Sequence, residues 1–543
     1  MVSSLIIKPN RRTAALKPQD MALTLLEEIV NDMDDNWGSG LITASPYDTA
    51  WVAMVRDPHN PKQLAFPDSF NWLLKHQAQD GSWSGPFPFT LIGTLAALVA
   101  LLKSPETTEQ SSYAAVRAEA YLRTVLRQWS VKNYETACFE VLAPCLLEEL
   151  EKLGVVFEFP DKAELLKVYA EKLRVDSLER IYTGQSTLIH CLEAFGPSLD
   201  FARLKQQQTA NGNYGNSPAA TAAVLIYSPE WNDAAARWLT HLTNRTFEGE
   251  RGAMPTFYSL EGFEASWSLY YFAHAGFNLK RDFPKQLIQK LVSCLQQNLG
   301  RKGACTMHSH TRGAPTDSDS TAMALLILNK AGVNTSTDCL RCFERSNYFA
   351  CYETERTTSI SANAHVLAAL LNLPKVAQSQ WTTNIAKVVD FLYDHRDSNG
   401  YWEDKWHISP YYATSCAVMA LAEHKESSVR NNLQQSINWV LQTQSSVDGG
   451  WGYSYCSTLE ETAYALLTLQ AVPDLGQQLD YHAYTKAIHR GVNYLWQHLN
   501  DYQPNYGLEG PKLWRTKEPY TVSRVVFSAV LAVISHTCLS FGT

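Results

Sequence analysis

Charge is scarce in this sequence. Asp, Glu, Lys and Arg make up 18% of the 543 residues and sum to -8. A mild acidic surplus on a thinly charged surface gives no footprint for nucleic acid or for an anionic membrane. No uncharged apolar run reaches the roughly 18–20 residues of a spanning helix. The nearest, VVFSAVLAVISHTCLSF (525–541), follows Arg524, contains His536 and reads as a buried helix. The opening MVSSLIIKPNRR lacks the apolar stretch of a signal peptide. The 11 cysteines are odd in number and scattered, and the C-x-x-C from Cys339 to Cys342 has no second pair at zinc spacing. The expectation is therefore a soluble protein of a reducing compartment, the cytoplasm. Alternating polar and apolar runs are missing too, so nothing supports a substantial sheet.

What the chain has is apolar and aromatic bulk: 45% hydrophobic residues, with 15 Trp, 26 Tyr and 20 Phe. Its length exceeds one ordinary core, which makes two domains the prior. One phrase recurs. A helix ends in a polar turn with Gln, Gly and an aromatic, and a small-residue apolar helix soon follows. The turns are KHQAQDGSWSG (75–85), QQQTANGNYGN (206–216), YDHRDSNGYW (393–402), QTQSSVDGGWGY (442–453) and QHLNDYQPNYG (497–507). The following helices include FTLIGTLAALVAL (89–101), AATAAVLIY (219–227), TSCAVMALAEH (414–424), ETAYALLTLQAV (461–472) and SRVVFSAVLAVI (523–534), with STAMALLIL (320–328) and ISANAHVLAALL (360–371) of the same kind.

Such repeats mean stacked supersecondary units. Helices apolar nearly all round belong to an inner layer, and amphipathic neighbours such as RAEAYLRTVLRQW (117–129) to an outer one. Concentric antiparallel helices make an all-α fold of α/α-barrels, with the turns stapling outer helices to inner ones. The repeats fall in two groups separated by an irregular acidic segment, roughly 145–200. Two barrels are expected, the first inserted after a leading helix (19–34) of the second.

Two acidic clusters stand out. T-D-S-D-S-T-A-M (316–323) puts Asp317 and Asp319 at the start of an apolar helix. One carboxylate there would be a helix cap, with Asp319 directly preceding Ser320 and Thr321. Two carboxyls one residue apart repel as anions, and burial penalises charge further; both effects keep a proton on one of them. A proton held in a dry, aromatic cavity is a general acid for a weak base. D-M-D-D (32–35), in a polar stretch before two glycines, reads as a solvated helix end.

At this point the residues resemble those of class II terpene cyclases, above all the diterpene cyclases. S-P-Y-D-T-A-W-V-A (45–53) is similar to the family's S-x-Y-D-T-A-W, and T-D-S-D-S-T-A-M stands where the family carries D-x-D-D-T-A-M. K-W-H-I-S-P-Y-Y (405–412), E-E-T-A-Y-A-L (460–466), the Q…D-G-x-W turns and L-W-R-T-K-E-P-Y-T-V-S-R-V-V (513–526) match in order along nearly the whole chain. The resemblance implies two barrels, called γ and β, with the active site between them. Residues 1–40 would be a leading segment and helix of the β domain, 41–250 the γ-like barrel, and 251–543 the β-like catalytic barrel. No D-D-x-x-D is found, and D-D-N-W-G (34–38) does not complete one.

The implied reaction is an isomerisation. A linear prenyl diphosphate, geranylgeranyl diphosphate, is protonated on its terminal alkene and closes to a decalin cation. Proton loss ends the reaction with the diphosphate retained, associated with Mg²⁺ whose ligands the sequence does not assign. The product would pass to a downstream class I terpene synthase or a phosphatase. The resemblance makes Asp319 the donor and Asp317 its tuner. It places Asn363, in S-I-S-A-N-A-H (359–365), as the amide bonded to the donor, with Ser359 sharing the task; local capping is the alternative for both. Trp406, Tyr411 and Tyr412 are candidates to face the cation. Arg515, Lys517 and Arg524 are candidates for the diphosphate.

Two departures matter. The motif's last Asp is Ser320, as bacterial members of the family also vary. The His–Asn pair with which plant enzymes of the ent-copalyl type end the reaction is half present: His190, in S-T-L-I-H-C-L-E (186–193), but Thr256 in G-A-M-P-T-F-Y (252–258). Without that base, hydride and methyl shifts would lead to a rearranged halimadienyl or kolavenyl skeleton. The alternatives are a copalyl diphosphate synthase, a drimenyl diphosphate synthase using farnesyl diphosphate, a zinc-dependent prenyltransferase-like barrel, and a non-catalytic α/α-barrel binding protein.

Overall fold

The computed structural model describes residues 17–541 apart from 34–35, 84, 86–87, 106, 134–135, 306–314, 455 and 500–509. Its helices close into two rings. In the first, Pro46–Ala53 packs on Leu91–Leu102, which packs on Phe139–Lys152, then on the 3-10 segment Thr187–Ser198, then on Pro218–Tyr227, which returns to Pro46–Ala53. In the second the order is Glu261–His274, Ser318–Lys330, Ile360–Leu371, Pro410–Ala422, Leu459–Ala471 and Ser523–Phe541, which closes back on Glu261–His274. The leading helix Pro18–Asp32 packs against Ser523–Phe541 and Glu261–His274, so the chain starts in the second ring, builds the first and returns. The described residues hold one small sheet, the antiparallel pair Trp514–Arg515 and Pro519–Tyr520. No helix among them is long and apolar enough to cross a membrane.

Burial separates the layers as the pattern demands. Every residue from Pro410 to Leu421 is buried, and so is every residue from Leu91 to Leu101. The outer helix Asp233–Asn244 buries Ala235, Trp238, Leu239, Leu242 and Thr243, one stripe at helical spacing.

The recurring turn is a staple. In three copies a tryptophan ties three segments together. The indole N–H of Trp83, Trp402 and Trp451 donates back to the outer helix just ended, at Leu73 O (2.9 Å), Leu392 O (2.6 Å) and Val440 O (2.7 Å). The backbone N–H of each donates forward to a threonine on the next inner helix: Thr94 (3.1 Å), Thr414 (3.0 Å) and Thr462 (2.9 Å). The glutamine reaches sideways: Gln77 donates to Ala114 O at 2.9 Å, and Gln444 to Ala487 O at 2.8 Å, each on the neighbouring outer helix. Most of the fifth turn, 497–507, lies outside the described residues.

The irregular segment 145–200 does not separate the two rings. It lies inside the first, whose inner positions include Phe139–Lys152 and Thr187–Ser198. The pattern fails there for a local reason: Gly196 has φ 45°, Pro197 follows it, and Cys191 also leaves helical geometry. D-M-D-D is not a solvated helix end either. Asp32 bonds Arg524 (2.9 Å) and Arg245 (3.1 Å) and accepts the Gly40 N–H; Asp34 and Asp35 lie outside the described residues.

Gly212 shows why the turns need glycine: its φ is +100°, and a Cβ would run into the Ala234 carbonyl of the packed outer helix. Gly212→Ala should destabilise the protein by about 1–3 kcal/mol from backbone strain alone, read as a lower thermal-unfolding midpoint.

Candidate active site

A cavity opens between the two rings, lined by both. Thr136, Ala137, Cys138, Glu140, Lys172, Thr187, Ile189, His190 and Gly215 come from the first; the rest of the wall comes from the second. Its lining combines two chemistries. Phe257, Phe263, Trp267, Trp514 and Tyr520 supply aromatic surface to the cavity that Asp319 lines. Lys172, Arg356, Lys405 and Arg515 supply cations, interleaved with Glu140 and Glu355.

Asp317 and Asp319 both line the cavity, and helix geometry gives them different tasks. Asp317 is the N-cap of Ser318–Lys330: its Oδ1 accepts the Ser320 N–H at 2.6 Å. The capping role expected of Asp319 thus falls to Asp317, which frees Asp319 one position inside the helix. Asp319 Oδ1 meets Nδ1 of His365 at 2.5 Å. His365 stands on Ile360–Leu371 with its ring edge-on to Trp267 and Tyr270, at centroid distances of 5.5 and 5.8 Å. Burial works against a proton on this imidazole, but the charge of Asp319 beside it wins and lifts the His365 pKa to about 10. The donor's partner is therefore a cationic imidazole rather than an amide or a second carboxyl.

That corrects the reading of Asn363. Its amide is fully used elsewhere: Oδ1 accepts the Phe349 N–H at 2.8 Å, and Nδ2 donates to Phe349 O (2.9 Å) and Ser359 O (2.8 Å). Asn363 and His365 are two residues apart, about 200° around a helix, so one facing the acid turns the other away. Ser359 is a helix cap, accepting the Ala362 N–H at 3.1 Å and bonding Asp404 at 3.0 Å. Local capping, the alternative reading, accounts for it.

The aromatic candidates divide. Trp406 lines the cavity, under the Lys405 ammonium at 5.1 Å. Tyr411 does not; it packs on Trp439 at 4.8 Å. Tyr412 stands behind the wall, its ring 4.6 Å from Trp514 and its hydroxyl accepting the Trp267 N–H at 3.3 Å. The cationic candidates divide too. Arg515 lines the cavity, fastened by its guanidinium to the carbonyls of Asp404 and His407. Lys517 is fully buried away from it, against Glu193 (2.7 Å), Ser217 (2.8 Å) and Asp48 (3.8 Å). Arg524 is paired with Asp32 (2.9 Å) and Glu264 (3.1 Å). Both are neutralised in place, so neither reaches a ligand in the cavity. Lys172, Arg356 and Lys405 stand where those two were expected. Lys172 lies 3.9 Å from Glu140, the Arg356 guanidinium lies over Phe139 at 5.4 Å, and Lys405 bonds Glu355 at 2.7 Å.

His190 lines the cavity and its Nδ1 faces the Gly215 carbonyl at 2.8 Å. Burial and, next, the Lys517 charge push its pKa down to about 3, so the ring is neutral with its lone pair on Nε2. The Thr256 hydroxyl has no partner among the described residues, and Thr256 does not line the cavity. Cys339 and Cys342 are free thiols, and no group of three or more metal-ligand side chains occurs among the described residues.

A buried acid in an aromatic cavity between two α/α-barrels is the arrangement of the terpene cyclases. The squalene-hopene cyclase C-terminal domain profile matches residues 354–506. The ent-copalyl diphosphate synthase of Streptomyces sp. (strain KO-3988) is 32% identical over 507 residues, covering 92% of this chain and 93% of that protein. The bifunctional premutilin synthase of Rhodocybe pseudopiperita is 32% identical over 478 residues, 84% of this chain but 49% of that protein. The chain thus spans about half the length of such bifunctional relatives. Among solved structures, ent-copalyl diphosphate synthase from Streptomyces platensis superposes with a TM-score of 0.76 at 28% identity, covering 96% of this chain and 99% of that one. The chain belongs to the class II diterpene cyclase family.

The His365 proton has a consequence for stability. Its folded pKa of about 10 lies above the unfolded value of roughly 6.5. The stabilisation is fully present below roughly pH 6.5 and is lost as pH rises through about 10. Unfolding titrations should show a decline across that window which flattens in His365→Gln and in Asp319→Asn.

Proposed function

We propose that this chain cyclises geranylgeranyl diphosphate to a bicyclic diterpenyl diphosphate by protonating its terminal alkene. The observation that carries the reading is Asp319, bonded to His365 and set in a cavity lined by aromatic rings and by cations. Oδ1 of Asp319 faces Nδ1 of His365, so the proton given away is one carried on Oδ2. After transfer, the anion left behind keeps its bond to His365.

The first tertiary cation is attacked by the neighbouring alkene, and a second closure gives the decalin cation. Phe263, Trp267 and Trp514 offer faces that attract positive charge without forming bonds to it. Proton loss then completes an isomerisation: one proton is gained, one is lost, and the diphosphate stays. Lys172, Arg356 and Arg515 hold the diphosphate. Mg²⁺ fits there as a counter-ion of the diphosphate rather than in a cage of its own. Glu355 is suited to share it: Oε2 is bonded to Lys405, while buried Oε1 has no partner among the described residues. The ion would neutralise phosphate charge. The product keeps its diphosphate, so a class I terpene synthase or a phosphatase is the kind of enzyme to consume it.

His190 is the base we assign to the final proton. A rearranged halimadienyl or kolavenyl product is the second reading, and Thr256 favours it, since no amide stands with His190 to hold a water. Incubation with geranylgeranyl diphosphate and, in parallel, farnesyl diphosphate, followed by dephosphorylation and NMR, tests both. A bicyclic C20 alcohol is expected; a C15 drimenyl alcohol from the shorter substrate alone would overturn the substrate assignment, and plain copalyl alcohol as sole product would remove the rearrangement. Asp319→Asn should lower kcat more than ~10²-fold, whereas an unchanged rate would remove Asp319 as the acid; no turnover by the unaltered chain would leave a binding role. Lys172→Ala and Arg356→Ala should raise KM about tenfold or more through lost charge-assisted bonds, with smaller effects on kcat.

A further inference from the structure

Trp514 walls the cavity, and its indole N–H points away from it to a buried carboxylate. Nε1 donates to Oε1 of Glu460 at 2.7 Å. Glu460 does not line the cavity, and its side chain is 4% exposed. The same Oε1 faces two further donors, Nε2 of His407 at 3.1 Å and the Tyr464 hydroxyl at 3.3 Å. Nδ1 of His407 lies 3.1 Å from both the backbone N–H and the carbonyl of Ser409. Three donors on one oxygen suit an acceptor-only carboxylate, and no lysine or arginine is paired with Glu460 among the described residues.

Some buried carboxylates of the core have a lysine or arginine beside them: Glu193 has Lys517, Glu264 has Arg524, and Glu355 has Lys405. Glu460 has none among the described residues, and it lies directly behind an aromatic wall. A carboxylate bonded to the indole N–H polarises the ring and adds negative potential to its faces. The indole also stands between the carboxylate and the cavity, so a cation there feels the charge but does not meet the oxygen that would quench it.

We propose that Glu460 tunes Trp514: the buried carboxylate behind the indole strengthens the attraction of this wall for a carbocation. Glu460 is thus a positioning residue acting through Trp514, and the inference rests on the cyclase reading above. It predicts that the cavity discriminates between a positive and a neutral occupant of the same shape, and that Glu460 accounts for part of this only while the indole N–H is present.

The test uses two prenyl diphosphate analogues, one with a tertiary ammonium at the terminal alkene position and one with the neutral carbon isostere. Their Kd ratio is measured for the whole chain, for Glu460→Gln, for Trp514→Phe and for the double variant. Glu460→Gln should cut the preference for the ammonium analogue about tenfold, or about 1.4 kcal/mol, leaving the neutral analogue's Kd unchanged. In the Trp514→Phe background the same substitution should change nothing further. An unchanged ratio in Glu460→Gln, or an equal loss in both backgrounds, overturns the inference. If Glu460→Gln does not fold, the ¹⁵N–H resonance of the Trp514 indole in the unmodified chain decides. A larger downfield shift with the ammonium analogue supports the coupling, and equal shifts overturn it. A chain that binds neither analogue contradicts the cyclase reading itself, and this inference falls with it.

Discussion

The contact between Asp319 and His365 is the interaction on which the proposed chemistry depends, and the site is arranged around it. The two groups arrive from adjacent inner helices, Ser318–Lys330 and Ile360–Leu371, whose packing fixes the 2.5 Å separation. Helix-end chemistry then assigns the work. Asp317 spends an oxygen on the cap, so Asp319 does not have to. Trp267 and Tyr270 hold the imidazole edge-on.

Charge elsewhere in the core is arranged so as not to interfere. Lys517 is neutralised by Glu193, with Asp48 nearby, and the segment that carries it links the two rings. Asp48 shows the cost: burial raises its pKa to about 7 even though Lys517 pulls the other way. Arg524 and Arg245 with Asp32 and Glu264 form a second group, two charges of each sign, that ties the leading helix to the closing one. Lys172, Arg356, Lys405 and Arg515 line the cavity, and Glu460 stands behind its Trp514 wall. Electrostatics and fold are one design here, since the chain's return to the second ring brings Trp514, Arg515 and Lys517 into place.

The barrels were readable because their determinants are local. The tryptophan of a Gln–Gly–Trp turn bonds within about a dozen residues on either side, and an alanine-rich helix declares itself buried wherever it occurs. The acid was readable for the same reason, as two carboxyls at a helix start. Legibility ended where a role depends on direction or on distant partners. The stretch 359–365 contains both Asn363 and His365, and which one faces Asp319 follows from helix phase against a neighbouring helix, which one sequence does not reveal. Lys172 and Arg356 belong to no motif and meet only in the folded cavity. Lys517 and Arg524 looked available because their neutralising partners, Glu193 and Asp32, lie hundreds of residues away. The 187–198 segment was missed as an inner wall because Gly196 and Pro197 break the helical pattern that marks the others.

The central claim is that a carboxyl proton starts a cyclisation in which the diphosphate is never lost. Turnover of geranylgeranyl diphosphate in D₂O reads it directly, because an acid that exchanges with solvent between turnovers delivers deuterium. One deuterium per product molecule, on the ring methylene next to the geminal dimethyl carbon, with no inorganic diphosphate released, is the predicted result. A cyclic product without deuterium at that carbon, or one formed with release of diphosphate, would contradict it.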